Sequence, residues 1–418
     1  MRFLFTILFC FSVFNVSSEH LFVQVETEDA LLPIIVHPLK NNSDFSKALQ
    51  NALNFDLNHN GMTQVVSPKN GLNTYEIKLE LEQMVLTVHF ISPFDNLDRT
   101  FGPMTLSGDI KKDRREIHQI SDAIYRSLFG GRGIASSHLL YTLRNEEKSE
   151  VWESDYDGWN ARRLTEDAGY CLTPAYLPPK SGMACGSFFY VSYLSGPPKI
   201  YVSSLQSSKG IPLFKLRGNQ LMPAISPQRN YIAFVSDVGG NPDLFLQDFS
   251  PEEGPIGRPR QIFAKGLSVQ GTPSFSPDET KLAFVSNQQG SPQIYIMEIP
   301  EKRASLKEMK IKRLTSYGTE NTCPAWSFDG TKIAYSGKVK GVRQIFVYDC
   351  LKDEHRQITT GQKNKENPSW APNSQCLVYN TSDQGDSNLY LLTLKDQKSV
   401  CLSSGVGDRR FPAWEPYR

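Results

Sequence analysis

Residues 272–286 alternate between short strand-like runs and turn chemistry. Thr272-Pro273-Ser274-Phe275 reads as one strand, Ser276-Pro277-Asp278 as a tight turn, and Leu282-Ala283-Phe284-Val285 as a strand buried on both faces. Proline presets φ for the turn, and aspartate bonds its own backbone there. The unit recurs. Its copies begin at Thr173-Pro174-Ala175-Tyr176, Met222-Pro223-Ala224-Ile225, Thr272-Pro273, Cys323-Pro324-Ala325-Trp326, Asn367-Pro368-Ser369-Trp370 and Phe411-Pro412-Ala413-Trp414. The prolines fall 49, 50, 51, 44 and 44 residues apart, a period that marks a repeat array or a propeller. Each unit also carries a third strand, such as Gln344-Ile345-Phe346-Val347-Tyr348, and a fourth, such as Arg356-Gln357-Ile358-Thr359. Four short strands per repeat make a propeller blade.

The first outer strands, Leu139–Leu143, Val151–Ser154 and Ala161–Thr165, lack a proline-led partner ahead of them. Phe411-Pro412-Ala413-Trp414 supplies it from the other end of the chain, so six blades close into a ring without open edges. Residues 19–134 have a different texture. Leu31–Val36 reads as a strand, Tyr75–Leu81 with Val85–Phe90 as a hairpin, and Arg99–Leu106 as a third strand. Phe45, Leu49 and Leu53 line one face of a helix that Ser43 caps and Asn60-Gly61 ends. Ile117, Ile120, Ile124 and Leu128 line a second, over about Arg114–Leu128. Gly130-Gly131-Arg132-Gly133 follows a helix rather than opening one, so it reads as a C-cap and linker, not a phosphate loop. The expected fold class is therefore an α/β N-terminal domain (mixed sheet, two helices, residues 19–134) followed by an all-β six-bladed β-propeller (residues 135–418) closed by the C-terminal strand.

Met1–Ser18 has an apolar run, Phe3–Val16, behind Arg2, and small residues at Val16-Ser17-Ser18; it reads as a signal peptide cut before Glu19. Of seven cysteines, Cys10 lies in that segment. The other six allow disulfides in an exported chain, with Cys171 and Cys185 the first pair to test, although small core residues are the simpler reading. Lys and Arg total 45 against 44 Asp and Glu, which gives no electrostatic footprint for general nucleic-acid binding.

The tandem units resemble the WD40-like propeller repeat of the TolB family, periplasmic proteins of the Tol–Pal envelope system. The resemblance extends to the junction Gly130-Gly131-Arg132-Gly133-Ile134-Ala135, the first-blade turn Ser154-Asp155-Tyr156-Asp157-Gly158-Trp159-Asn160, and the C-terminal Arg410-Phe411-Pro412-Ala413-Trp414-Glu415-Pro416-Tyr417. Pro178-Pro179-Lys180, Pro227-Gln228-Arg229 and Phe328 depart from the usual turn, and Ser250–Arg260 lengthens one blade. The resemblance implies a non-enzymatic adaptor that supports envelope constriction. It would bind a Pal-type peptidoglycan-associated lipoprotein through one propeller face and a TolA-type inner-membrane protein through the N-terminal segment. On the first face it implicates Asn219, Met222, Gly271, Thr272, Asn321, Thr322, Glu366 and Asn367. For the second it implicates Glu19, His20, Leu21, Phe22, Val23, Gln24 and Val25, which read equally as an edge strand of their own domain.

Other chemistry finds little support. A peptidase carrying such a propeller needs a Gly-x-Ser-x-Gly elbow, and this sequence has none. The seven histidines show no His-Glu-x-x-His spacing. Asp155, Asp157, Asn160 and Glu166 faintly resemble a calcium loop, but Gly158 stands fourth rather than sixth, as in a plain blade turn. Neither a catalytic group, a metal nor a cofactor is expected. A propeller that binds a small ligand or sugar in its channel is the remaining alternative; aromatic walls with convergent polar groups would mark it.

Overall fold

A computed structural model describes residues 30–41, 43–68, 74–94, 98–167, 169–179, 185–250, 252–301, 310–316, 318–383, 385, 387–403 and 405–416. The expected signal peptide and Glu19–Val25 lie outside these residues.

The N-terminal part contains β1 (Leu32–Val36), α1 (Asp44–His59), β2 (Thr63–Val65), β3 (Tyr75–Glu82), β4 (Val85–Ile91), β5 (Asp98–Thr105) and α2 (Ile110–Phe129). The sheet order is β2-β1-β3-β4-β5, with β1 parallel to both neighbours and the other pairs antiparallel. Alternation along β4 buries Leu86, Val88 and Phe90 against Leu49 and Leu53 of α1 and Ile117, Ile120 and Ile124 of α2. Ser43 caps α1, accepting from the Ser46 N–H at 3.1 Å.

Helix α2 begins a turn earlier than its apolar periodicity implies. Asp109 is the N-cap, and the Asp113 carboxylate reaches back to the Ser107 and Gly108 N–H groups at 2.8 and 2.9 Å. These polar caps satisfy orphan backbone donors but leave no hydrophobic signature. Gly130 ends the helix in the left-handed conformation, as the glycine run implies. Asp122 then ties down the linker by accepting from Ala135 and Ser136 N–H at 2.8 and 3.0 Å. A Cβ on Gly133 would lie 2.1 Å from that carboxylate, so the approach requires glycine.

Six four-stranded sheets follow among the described residues. Blade 1 is formed by His138–Asn145, Lys148–Asp155 and Arg162–Arg163 with Asp408–Trp414 as its inner strand, so the chain ends do close the ring. The other inner strands are Cys171–Tyr176, Gln220–Ile225, Gln270–Phe275, Asn321–Trp326 and Lys365–Trp370, for blades 2 to 6. Second strands such as Lys281–Ser286 are apolar on both faces because neighbouring blades cover both; Leu282, Ala283 and Phe284 are wholly buried. Ser276 and Asp278 are turn formers: Ser276 Oγ accepts the Lys281 N–H at 2.9 Å, and Asp278 accepts that of Thr280 at 3.1 Å.

No disulfide links the six cysteines of the described residues, and Cys171 and Cys185 pack as core residues of blade 2.

Ring closure carries a checkable cost. Trp414 is buried, and its indole N–H donates to Ser137 Oγ at 2.7 Å. Trp414→Ala should destabilise the protein by about 3–5 kcal/mol in urea-induced unfolding, because a large aromatic is removed from the closing blade. A change below about 1 kcal/mol would mean that this strand does not hold the ring shut.

Candidate functional site

Each inner strand contains the same irregularity. The pairs Thr173-Pro174, Met222-Pro223, Thr272-Pro273, Cys323-Pro324, Asn367-Pro368 and Phe411-Pro412 drop out of register with the second strand. Proline has no N–H for the ladder, and a bulge on the strand facing the channel accommodates it. All six residues before the prolines take positive φ, from 35° at Thr272 to 55° at Cys323. Left-handed backbone costs an L-residue roughly 1–2 kcal/mol, and a β-branched one such as threonine is a genuine outlier. Strain of this kind gathers at functional sites and is held there by the surrounding structure.

Neighbouring blades are stitched together at this level. The Thr272 N–H lies 3.2 Å from Met222 Sδ, and Cys323 Sγ donates to Asn367 Oδ1 at 3.2 Å. Asn380 Oδ1 accepts from Asn367 Nδ2 at 2.9 Å and from the Phe411 N–H at 3.1 Å. The six positions line a narrow channel neck of about 140 Å³.

Of the residues implicated from sequence, Met222, Thr272 and Asn367 belong to this strained ring. Thr322 and Asn321 stand one and two places before Cys323, the equivalent position, and Thr173 and Phe411 complete the ring. Gly271 and Asn321 are buried. Asn219 is half-buried and its side chain donates to Asp237 at 2.6 Å. Glu366 pairs with Arg343 at 2.9 Å, which also bonds Glu320 at 2.6 Å and Thr322 at 3.1 Å.

The side chains that stand out from this rim are others. The strands alternate in direction, so the connections from second to third strand and from fourth strand to the next blade emerge on one side. That side bears Tyr193, Leu194, Val238, Leu267, Val269 and Val406, with Leu267 91% and Val406 92% exposed. Most of these stand on the connections of blades 2 to 4, with Val406 between blades 6 and 1, while Glu320, Arg343 and Glu366 form an ion-pair cluster at blades 5 and 6. Single exposed apolar residues carry little information, but several on one rim mark an interaction surface.

The opposite mouth differs. Tyr176, Ile225, Phe275, Trp326, Trp370 and Trp414, with several prolines, enclose about 560 Å³ there. The three indole N–H groups are already bonded inside the protein, to Gly330 O, Ala325 O and Ser137 Oγ. The wall is aromatic but lacks convergent polar groups.

The N-terminal part packs on this second side. Asn373 donates to Asn60 O at 2.9 Å, and Phe55 meets Tyr156 edge-on. Arg114 of α2 pairs with Asp157. Asp155 to Asn160 form a blade turn, with the Gly158 N–H donating to Asp155 O at 2.9 Å. A Cβ on Gly158 would lie 2.0 Å from Leu402 O, so glycine is required by the close approach of blade 6.

A model of the TolB beta propeller domain (PD40) matches residues 125–418, well over half of the chain. The chain belongs to the TolB family. It is 44% identical over 403 residues to a protein TolB homolog of Protochlamydia amoebophila, covering 87% of this chain and 86% of that protein. A TolB homolog of Chlamydia pneumoniae is 36% identical over 419 residues, covering 97% and 95%. The crystal structure of TolB from Acinetobacter baumannii superposes with a TM-score of 0.73 at 24% identity, over 93% of this chain and 98% of that one, which shows the shared fold.

Two outcomes test this geometry. Thr272 carries both a positive φ and a buried hydroxyl with no hydrogen-bond partner. Thr272→Gly should therefore raise stability by about 1 kcal/mol, strain relief exceeding the entropy glycine adds to the unfolded chain. Destabilisation would show that the ring is unstrained.

The second outcome concerns the seam between the N-terminal part and the propeller. Burial pushes the His118 imidazole down, but Asp56 at 2.9 Å, and then Asp157, outweigh it and hold the ring above its ordinary value. His138 behaves alike, burial being outweighed by Glu415 at 2.7 Å and by Glu153 and Asp155. A histidine raised in the folded state stabilises fully below its unfolded value of about 6.5, and the contribution is lost as pH rises through the folded value. The urea midpoint should fall as pH rises above about 6.5, and His118→Asn with His138→Asn should flatten the slope. An unchanged slope in the double variant would contradict this.

Proposed function

We propose that this TolB-family chain is a non-enzymatic adaptor of the bacterial envelope, exported to the periplasm behind the leader at residues 1–18. The division into an N-terminal domain at 19–134 and a propeller at 135–418 gives it two working ends. The free channel mouth docks a Pal-type peptidoglycan-associated lipoprotein, and Glu19–Val25 engages a TolA-type inner-membrane protein. Coupling the two supports outer-membrane integrity and constriction during division.

One observation carries this reading. The mouth opposite the N-terminal part combines a strained ring with outward apolar side chains on three successive blades. Strain preorganises a surface, and apolar anchors surrounded by polar rim residues are what a protein partner buries. The Arg343, Glu320 and Glu366 cluster then sets orientation more than affinity, since half-exposed pairs are each worth about 0–1 kcal/mol. A small-ligand role for the aromatic mouth has less support, because its indole donors are already used.

The test is calorimetric titration of the chain from Glu19 onward with the soluble domain of its cognate Pal-type lipoprotein. Binding should be micromolar or tighter, and Leu267→Asp with Val269→Asp should weaken it about tenfold or more at unchanged stability. No binding at micromolar concentrations, or binding indifferent to both substitutions, would remove the docking face from the account.

A further inference from the structure

The seam between α2 and blade 1 buries more carboxylates than fixed cations. Asp56, Asp155, Asp157 and Glu415 are all at most 6% exposed. The guanidinium of Arg114 pairs with Asp157. Protonated His118 and His138 offset part of this charge, and a bound cation that displaced a ring proton would offset more.

The geometry at His118 says where that charge belongs. Its Nδ1 lies 3.0 and 2.9 Å from the two oxygens of Asp56, which is itself held by Ser121 Oγ at 2.6 Å and Tyr156 Oη at 2.7 Å. The Nδ1–H is therefore donated to a fixed carboxylate. The other nitrogen, Nε2, belongs to a residue only 2% exposed and has no hydrogen-bond partner. It points toward Asp157, 3.6 Å from Oδ2, and one ligand atom each from His118, Asp155 and Asp157 lies within 4.8 Å of the others. A ring whose far N–H is tied to a carboxylate and whose near nitrogen is free, buried and faced by two carboxylates has the arrangement of a metal ligand.

We propose that His118 Nε2, Asp155 and Asp157 hold a divalent transition-metal ion of the zinc type, clamping α2 onto the first blade. Ligand atoms about 2.0–2.2 Å from a zinc ion stand roughly 3–3.6 Å apart; the 3.6 Å between His118 Nε2 and Asp157 Oδ2 meets this, and the other separations, all within 4.8 Å, would have to close on the ion. An imidazole among the donors favours zinc-like ions over magnesium or calcium, which prefer oxygen alone. The Asp157 carboxylate is oriented by Arg114 and by the Trp159 N–H at 3.1 Å. A cavity of about 640 Å³ that His118 and Asp155 help to line provides access and room for a water ligand. Such an ion joins one residue of the N-terminal part to two of the propeller, so it stabilises their union rather than either alone.

The experiment uses the chain from Glu19 onward, stripped with chelator and titrated with Zn²⁺ in a calorimeter. One saturating site is expected, with a metal-dependent rise in melting temperature. His118→Ala and Asp155→Asn should each weaken that site about tenfold or more and abolish the melting shift. Co²⁺ in place of Zn²⁺ should give visible absorption bands that disappear in the same variants. If a variant fails to fold, the Co²⁺ spectrum of the parent protein still reports whether a nitrogen-and-oxygen site exists. Absence of saturable binding and of those bands, or binding that persists in folded His118→Ala, would overturn the proposal.

Discussion

The rest of this structure depends on a bulge repeated six times around the channel. In every inner strand a residue in left-handed conformation precedes a proline, and the pair leaves the ladder at the same height. The proline makes the bulge inexpensive where no N–H is needed, while the preceding residue absorbs the strain. Ring closure holds that strain in place. Each blade is covered by its neighbours, and Ser274 and Ser369 accept backbone N–H groups of Trp326 and Trp414 in the next blade, both at 3.0 Å. A strained neck inside a closed ring is a rigid, preorganised mouth, which is what a docking surface for another protein requires.

The two sides of the ring have separate duties. One is covered in part by the N-terminal helices, joined through the buried pairs of Arg114 and His118 with Asp157 and the Phe55–Tyr156 contact. The other is left uncovered by the described residues and carries apolar residues on loops between strands. Loops tolerate such residues because the scaffold beneath them is fixed. The division follows from strand direction alone, since alternating strands send like connections to like rims.

Much of this was legible in the sequence because repetition amplifies weak signals. One Thr-Pro-Ser-Phe is an ordinary strand, whereas six at 44–51 residue spacing define blades and place Phe411–Trp414 in the closing position. What escaped was whatever lacked a period or depended on distant contacts. The start of α2 lies in polar capping residues, invisible to an apolar pattern. Cys323 could be reached by counting back one residue from Pro324, whereas the positive φ that it shares with the other five positions leaves no mark in the sequence. Leu267 and Val406 belong to no periodic pattern, and only the fold shows that they share a rim. His118 meets Asp155 and Asp157 across a seam between parts that no local spacing could connect.

The proposed docking puts a protein partner on the channel mouth that the described N-terminal residues leave uncovered. Hydrogen–deuterium exchange of the chain from Glu19 onward, with and without its cognate Pal-type lipoprotein, tests it most directly. Docking there should add protection in the rim connections at 193–198, 237–242 and 264–269, with the turns beside Trp326 and Trp370 unchanged. Protection confined to the aromatic mouth beside the N-terminal part, with the free rim unaffected, would contradict it.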